Sequence, residues 1–381
     1  MNEAVVWWIG IQLVGCAAFP LTFAFFRGLA DRGYAFAKII GLLLLGYGLW
    51  MGAILGLWTN GRGAVFLVLI AIACASLFVT ASRRQDLRDY LRLSWPYIVF
   101  VEAMFVTVFA AAVFLRSFVP EINSGEKPFE LAFLNAINRT ENFPPPDPWL
   151  SGENISYYYF GYVQIAALTK LVALETKETF FLGLSVIASL TWVAAFGLVY
   201  NLIRAGSARA VAPVLALRPV LFALAAPLLM LIVGNLDGAA EHLARHGVGS
   251  AGFYDFLGIH TLDGPYDCGS TSDACAEWYP TRREPFDWWW WATRMGSSFD
   301  IQEFPFFSLH FGDLHAHVMV MPLLITIFAA CYQMVARALA APSESLFRPA
   351  RLCFFALLAG GALFTDSGPL RSCWRWWPPR F

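Results

Sequence analysis

The sequence predicts an all-α polytopic membrane protein with about eight transmembrane helices and two large extracytoplasmic loops carrying short surface helices. Three observations carry this expectation. Apolar side chains make up 58% of the 381 residues and charged ones 14%, too apolar and too poor in charge for a soluble globule. Apolar stretches long enough to cross a hydrocarbon core of about 30 Å recur along the chain. The basic residues between them can all be placed on one side of a membrane.

The first span, at 4–26, contains "VVWWIGIQLVGCAAFPLTFAFF". It lacks the basic leading region of a cleavable signal peptide and is long enough to cross, so it reads as a membrane helix. Further stretches lie near 36–58, 63–81, 96–116, 180–203, 216–236 and 314–336, with another from 352. Three connections are strongly basic: Arg83, Arg84, Arg88 and Arg92; Arg204, Arg209 and Arg218; and Arg337, Arg348 and Arg351. With the turn at 27–38 they mark the cytoplasmic side.

All four basic loops share a side only if the run "YYYFGYVQIAALTKLVALE" at 157–175 does not cross. Lys170, Glu175, Lys177 and Glu178 punctuate its end. Tyr157, Tyr158, Tyr159 and Tyr162 suit the headgroup level, where a ring is half buried and its hydroxyl stays wet. The run is expected to lie at the outer surface or to dip in re-entrantly. An ordinary spanning helix with an aromatic belt is the alternative.

This layout puts four N-terminal transmembrane helices in 1–116 and a first extracytoplasmic loop, the candidate catalytic loop, at 117–179. Two transmembrane helices follow in 180–236, a second extracytoplasmic loop in 237–313, more transmembrane helix in 314–367, and an aberrant tail at 368–381. The 26 Lys and Arg against 27 Asp and Glu give no basic face for a nucleic acid, so no nucleic-acid partner is expected; membrane lipid is. Of seven cysteines, Cys16, Cys74, Cys331 and Cys353 fall in apolar segments, where a thiol behaves as a small hydrophobe. Cys268 and Cys275 lie in a polar loop, open either to an extracytoplasmic disulfide or to two thiols.

Most acidic and histidine side chains fall in the two loops, so chemistry is expected there. In the first, the pattern from Glu130 to Ile137 is helical and breaks at "FPPPDPW". Glu126 and Glu130 share a face near the start of that helix. As carboxylates there they complement the helix dipole, or else they are catalytic. The second loop ends in "SSFDIQEFPFFSLHFGDLHAHVMVMPL". Asp313, His315 and His317 form an Asp-x-His-x-His set suited to a divalent metal ion, with Glu303 and His310 nearby; the competing reading is hydrogen-bonded capping groups at a membrane interface. An extended backbone brings His315 and His317 to one side, whereas a helix splays them. The "WWWW" at 288–291 is a stacking platform for a sugar or isoprenoid, or an interfacial anchor.

The stretches "GEKPFELAFLNAINRTENFPPPDPWLSGENISYYYFGY", "EFPFFSLHFGDLHAH" and "DRGYAFAKIIGLLLLGYGLW" resemble the uncharacterised bacterial and archaeal membrane family named for its Tyr-Tyr-Tyr signature, Chlor_Arch_YYY. The resemblance runs from near the N-terminus to about Asp366. That family is similar in layout to the GT-C membrane glycosyltransferases, which implies a GT-C-like fold. It also implies inverting sugar transfer from a polyprenyl-phosphate donor to an acceptor left undefined. The position matching the superfamily's acidic residue is Glu130, with Glu126 beside it, where the superfamily more often carries Asp. Asp147, in the "PPPDPW" turn, is the next candidate base. Tyr157, Tyr158 and Tyr159, with Glu303 and His310, are expected to hold the isoprenoid and sugar. An ion at Asp313, His315 and His317 would neutralise the leaving phosphate.

Two other classes compete. A transporter, as one form of non-enzymatic membrane protein beside an assembly partner, would keep ionisable groups near the bilayer midplane, and Glu102 is the only clear candidate in the sequence, which counts against that class. A metal-dependent membrane hydrolase would use Asp313, His315 and His317. At the C-terminal end, "LLAGGALFTDS" changes abruptly to "GPLRSCWRWWPPRF". Members of the family resembled continue there with a Trp-Asp segment and further helices, so a frameshifted or truncated product from Gly368 onward is expected.

Overall fold

The computed structural model describes residues 2–204, 215–234, 236–246, 248–256, 292–293, 301–340 and 349–368. Among these the regular structure is helical, with one isolated antiparallel bridge between Pro146 and Asn154. Two compact units emerge, one of residues up to Pro227 and from Gly312 onward, the other Leu228–Phe311.

In the first unit α1 (Asn2–Phe25), α2 (Ala37–Ile54, extended by a 3-10 turn at Tyr34–Phe36), α3 (Arg62–Ser82), α4 (Arg84–Ser117), α7 (Thr176–Arg204) and α12 (Ala316–Ala340) are long and apolar enough to cross a membrane. Leu217–Val233, which contains α8 (Leu217–Leu228), and α13 (Pro349–Thr365) are shorter apolar helices. Among the described residues, six of the eight expected spans therefore have the required length.

The basic connection expected around Arg83 and Arg92 is not a loop. It forms the first turns of α4, because Leu87 and Tyr90 pack against Phe19 and Phe23 while Arg84, Arg88 and Arg92, spaced four apart, stay exposed. Hydropathy alone sees only the charges and starts the helix late.

Helix α7 is central, with 83% of its apolar stretch buried in protein, against 28% for α3 and 22% for α4. It packs on α4 and α12, while α1 packs on α2 and α3. Lipid tails give no hydrophobic drive between helices, so close packing has to supply association. At Gly41 a Cβ would come within 2.6 Å of the Val14 carbonyl oxygen, so glycine there lets α1 and α2 approach backbone to backbone.

Two polar networks tie the helices. Asp31, fully buried between α1 and α2, accepts from the Gly33 and Ala35 N–H groups, from Asn201 Nδ2 at 2.9 Å and from Tyr97 Oη at 3.1 Å, which fastens the turn to α4 and α7. Glu102 of α4 pairs with Lys38 and accepts from Gln12 Nε2 at 2.8 Å and Tyr34 Oη at 2.7 Å. A charge within a membrane-spanning helix is tolerated when paired in this way.

Helix α6 (Phe160–Val172) has 13 residues, about 20 Å at 1.5 Å per residue, well short of a 30 Å core. Every residue except Lys170 and Val172 is buried, and its neighbours include α1, α2, α3, α5 (Lys127–Arg139) and α7. A helix lying on a surface keeps one face open; this one is enclosed by protein.

The second unit holds the π-helical turn Leu229–Val233, α9 (Asp237–Arg245), α10 (Ala251–Phe256) and α11 (Pro305–Phe311). Phe304, Phe307 and Ala292 form a small apolar cluster there. Cys268, Cys275, Trp288–Trp291 and the tail from residue 369 lie outside the described residues.

Candidate functional site

Helix α5 begins at "GEKPFE". Gly125 has φ of +62°, Glu126 is the N-cap, and Pro128 falls in the first turn, where its missing N–H costs nothing. Glu130, Phe133, Leu134 and Ile137 follow at helical spacing and are all buried. The apolar face that docks α5 against α6 and α7 thereby carries a carboxylate inward, and Glu130 is only 1% exposed.

The segment leading into α12 meets it. The Leu314 N–H donates to Glu130 Oε2 at 2.8 Å, and His315 Nδ1 lies 3.3 Å from Glu130 Oε1. His315 Nε2 is 3.7 Å from Asp313 Oδ2 and 3.8 Å from Glu126 Oε2. Gly312 makes this approach possible. Its φ is +95°, and a Cβ there would lie 2.5 Å from Arg116 Nη1. The two motifs singled out in the sequence, 183 residues apart from Glu130 to Asp313, are thus one cluster.

Two cations flank it. Arg116, in the last turn of α4, interacts electrostatically with Asp313 and sits over the Phe181 ring at 5.2 Å. Lys127 is 3% exposed; burial lowers its pKa, opposed by the attraction of Asp313. On the other side, burial together with Glu126, Asp366 and Glu130 pushes the Tyr157 hydroxyl up to about 12. Burial, then Glu130, raises Tyr162 well above the usual tyrosine range. Both tyrosines therefore stay neutral beside the carboxylates.

This arrangement can do two things. A carboxylate oriented by a backbone N–H and facing an imidazole can take up a proton and pass it on. The guanidinium and ammonium beside Asp313 can offset negative charge on a substrate.

The other expected residues fall elsewhere. Asp147 Oδ1 accepts from the Trp149 and Leu150 N–H groups at 2.8 and 3.1 Å, so its visible work is to hold its own turn. Tyr158 Oη is 2.6 Å from Ser367 Oγ, and Tyr159 accepts from Trp50 Nε1 at 3.2 Å while stacking on Phe143. The Tyr157 hydroxyl feels Glu126 and Glu130, and its ring lies against Phe133. Glu303 and His310 belong to the second unit, where Ser308 Oγ donates to Glu303 at 2.8 Å and His310 stacks on Phe306. The His315 and His317 rings stack at 5.2 Å. Among the described residues no group of three or more His, Cys, Asp and Glu is arranged to hold a metal ion, so the Asp313, His315 and His317 set stays without geometric support.

Reading the sequence passed over Arg116, Lys127 and the site-facing role of Tyr162. Lys127 carries a local signal. A lysine in the first turn of a helix opposes the dipole, and such a misplaced charge calls for an anionic partner.

No curated protein and no solved structure matches this chain. A family model does, over residues 44–367, a stretch that contains every member of the cluster from Arg116 to Asp366. The chain belongs to the uncharacterized membrane protein family DUF2298.

Proposed function

We propose that this membrane protein transfers a sugar from a polyprenyl-phosphate donor to an acceptor hydroxyl, at a site facing the extracytoplasmic side of the cell membrane. The observation that carries the reading is the buried Glu130 carboxylate, held by the Leu314 N–H and facing His315 at 3.3 Å, with Arg116 and Lys127 alongside.

In this reading the acceptor oxygen attacks the anomeric carbon as the bond to the phosphate oxygen breaks. The acceptor proton passes to Glu130, with His315 as its relay, and polyprenyl phosphate departs carrying the electron pair. Glu130 and His315 hold the proton, and Arg116 and Lys127 offset the phosphate charge. No step is routed through a metal ion. A carboxylate enclosed by the helices of a membrane protein suits a substrate with a lipid tail better than a soluble one. The short enclosed α6 fits a re-entrant placement, with both ends of segment 117–179 on the outer side.

A double-mutant cycle tests the unit. Glu130→Gln and His315→Gln are each expected to abolish most transfer, and the double variant to cost no more than either alone, because the two act on one proton. Fully additive losses would separate their roles and sink the relay.

A further inference from the structure

Beside the proton-handling cluster lies an open hollow of about 500 Å³, lined by Gly125, Glu126, Phe129 and Trp149. Trp149 is 65% exposed, yet it is not loosely held. Its own N–H and that of Leu150 bond to Asp147, the Asp147 N–H bonds to the Glu153 carbonyl at 2.9 Å, and the Ile155 N–H bonds to the Pro145 carbonyl at 3.0 Å. The indole stacks on Phe129 at 5.8 Å with planes 29° apart, and Tyr157 meets the same phenyl ring edge-on at 6.4 Å. The indole lies against Phe129, and most of the Trp149 side chain is exposed. Glu126, its side chain 65% exposed, borders the hollow and reaches to within 3.8 Å of His315.

The geometry points to a sugar-binding subsite in which the hexopyranose of the lipid-linked donor stacks its C–H face on Trp149 and donates a hydroxyl hydrogen bond to Glu126. The proposal rests on the glycosyl-transfer reading above and names the part of the substrate held there. A pyranose ring has an apolar face and a polar rim. An aromatic platform with a carboxylate at its edge complements both, whereas an isoprenoid tail has no use for the carboxylate. Asp147 is then a positioning residue, acting through the turn that presents the indole.

Equilibrium binding to the purified full chain tests it, with labelled polyprenyl-phosphate mannose, glucose and galactose, and bare polyprenyl phosphate, as probes. At least one sugar-bearing probe is expected to bind the wild type and Glu130→Gln alike and to bind Trp149→Ala about tenfold more weakly, with Trp149→Phe close to wild type. Bare polyprenyl phosphate should be indifferent to Trp149. Turnover with sugar binding unchanged in Trp149→Ala would overturn the subsite and leave glycosyl transfer standing. Sugar binding that depends on Trp149 without turnover in any donor–acceptor pair would keep the subsite and overturn the transfer reading. Equal Trp149 dependence for bare polyprenyl phosphate would assign the hollow to the lipid, and no binding of any sugar probe would overturn both.

Discussion

Replacing Glu130 with glutamine keeps the side chain's shape and an acceptor for the Leu314 N–H, but removes the charge and the ability to take a proton. A hydrogen bond to a charged group contributes about 1.5–3 kcal/mol and a neutral one about 0.5–1.5, so the 2.8 Å bond from Leu314 should weaken by about 1–2 kcal/mol. Part of that returns, because an amide is easier to enclose than a carboxylate at a position 1% exposed. The expected net loss of stability is below about 2 kcal/mol, against a fall in turnover of roughly 10²–10⁴-fold. Thermal unfolding and transfer should be measured on one detergent-solubilised preparation. The signature is the decoupling, a nearly normal melting temperature with lost turnover. Glu126→Gln should cost less, since Glu126 approaches His315 only to 3.8 Å. A carboxylate serving only to complement the helix dipole predicts the reverse for Glu130, a loss of about 0.3–1 kcal/mol with activity intact. Full turnover in Glu130→Gln would refute the assignment.

Other consequences are equally specific. Cysteines placed singly at 126 and 88, both exposed, should label from opposite sides of the membrane in a background lacking the native cysteines; labelling from one side refutes the orientation. Gly312→Ala, with φ of +95° and a Cβ 2.5 Å from Arg116 Nη1, should lose roughly 1–3 kcal/mol and reduce turnover, and an unchanged melting temperature and rate would show the close approach to be dispensable. Burial lowers the Lys170 pKa to about 8 from an ordinary 10.5, so the folded chain binds fewer protons than the unfolded one between those values and stability rises with pH across that window. Lys170→Met should flatten the rise, and parallel melting curves from pH 7.5 to 10 would contradict it.

Six spans were legible because α3, the later part of α4 and the buried α7 each contain a long stretch that is predominantly apolar, which hydropathy alone detects. The first turns of α4 were not, since Leu87 and Tyr90 are interleaved with arginines and only the packing partners Phe19 and Phe23 reveal the inward face. Glu130 and His315 were each visible as polar residues at the edge of apolar runs. Their pairing was not, because a contact across so many residues leaves no periodic trace. Trp149 was hidden by its Pro-rich surroundings, which announce a turn but not what the turn presents. Asp147 stood out as the acidic residue of the same turn, and the sequence does not announce that its side chain bonds the Trp149 and Leu150 N–H groups of that turn.

The most direct test of the central claim is transfer from labelled polyprenyl-phosphate sugars in membranes carrying the full chain, with Glu130→Gln membranes as the matched control. Release of polyprenyl phosphate with the sugar covalently attached to an acceptor in inverted anomeric configuration, and its loss in the control, is the result expected. Folded wild-type protein that turns over no donor in the panel, or that releases sugar equally well with Glu130→Gln, would contradict it.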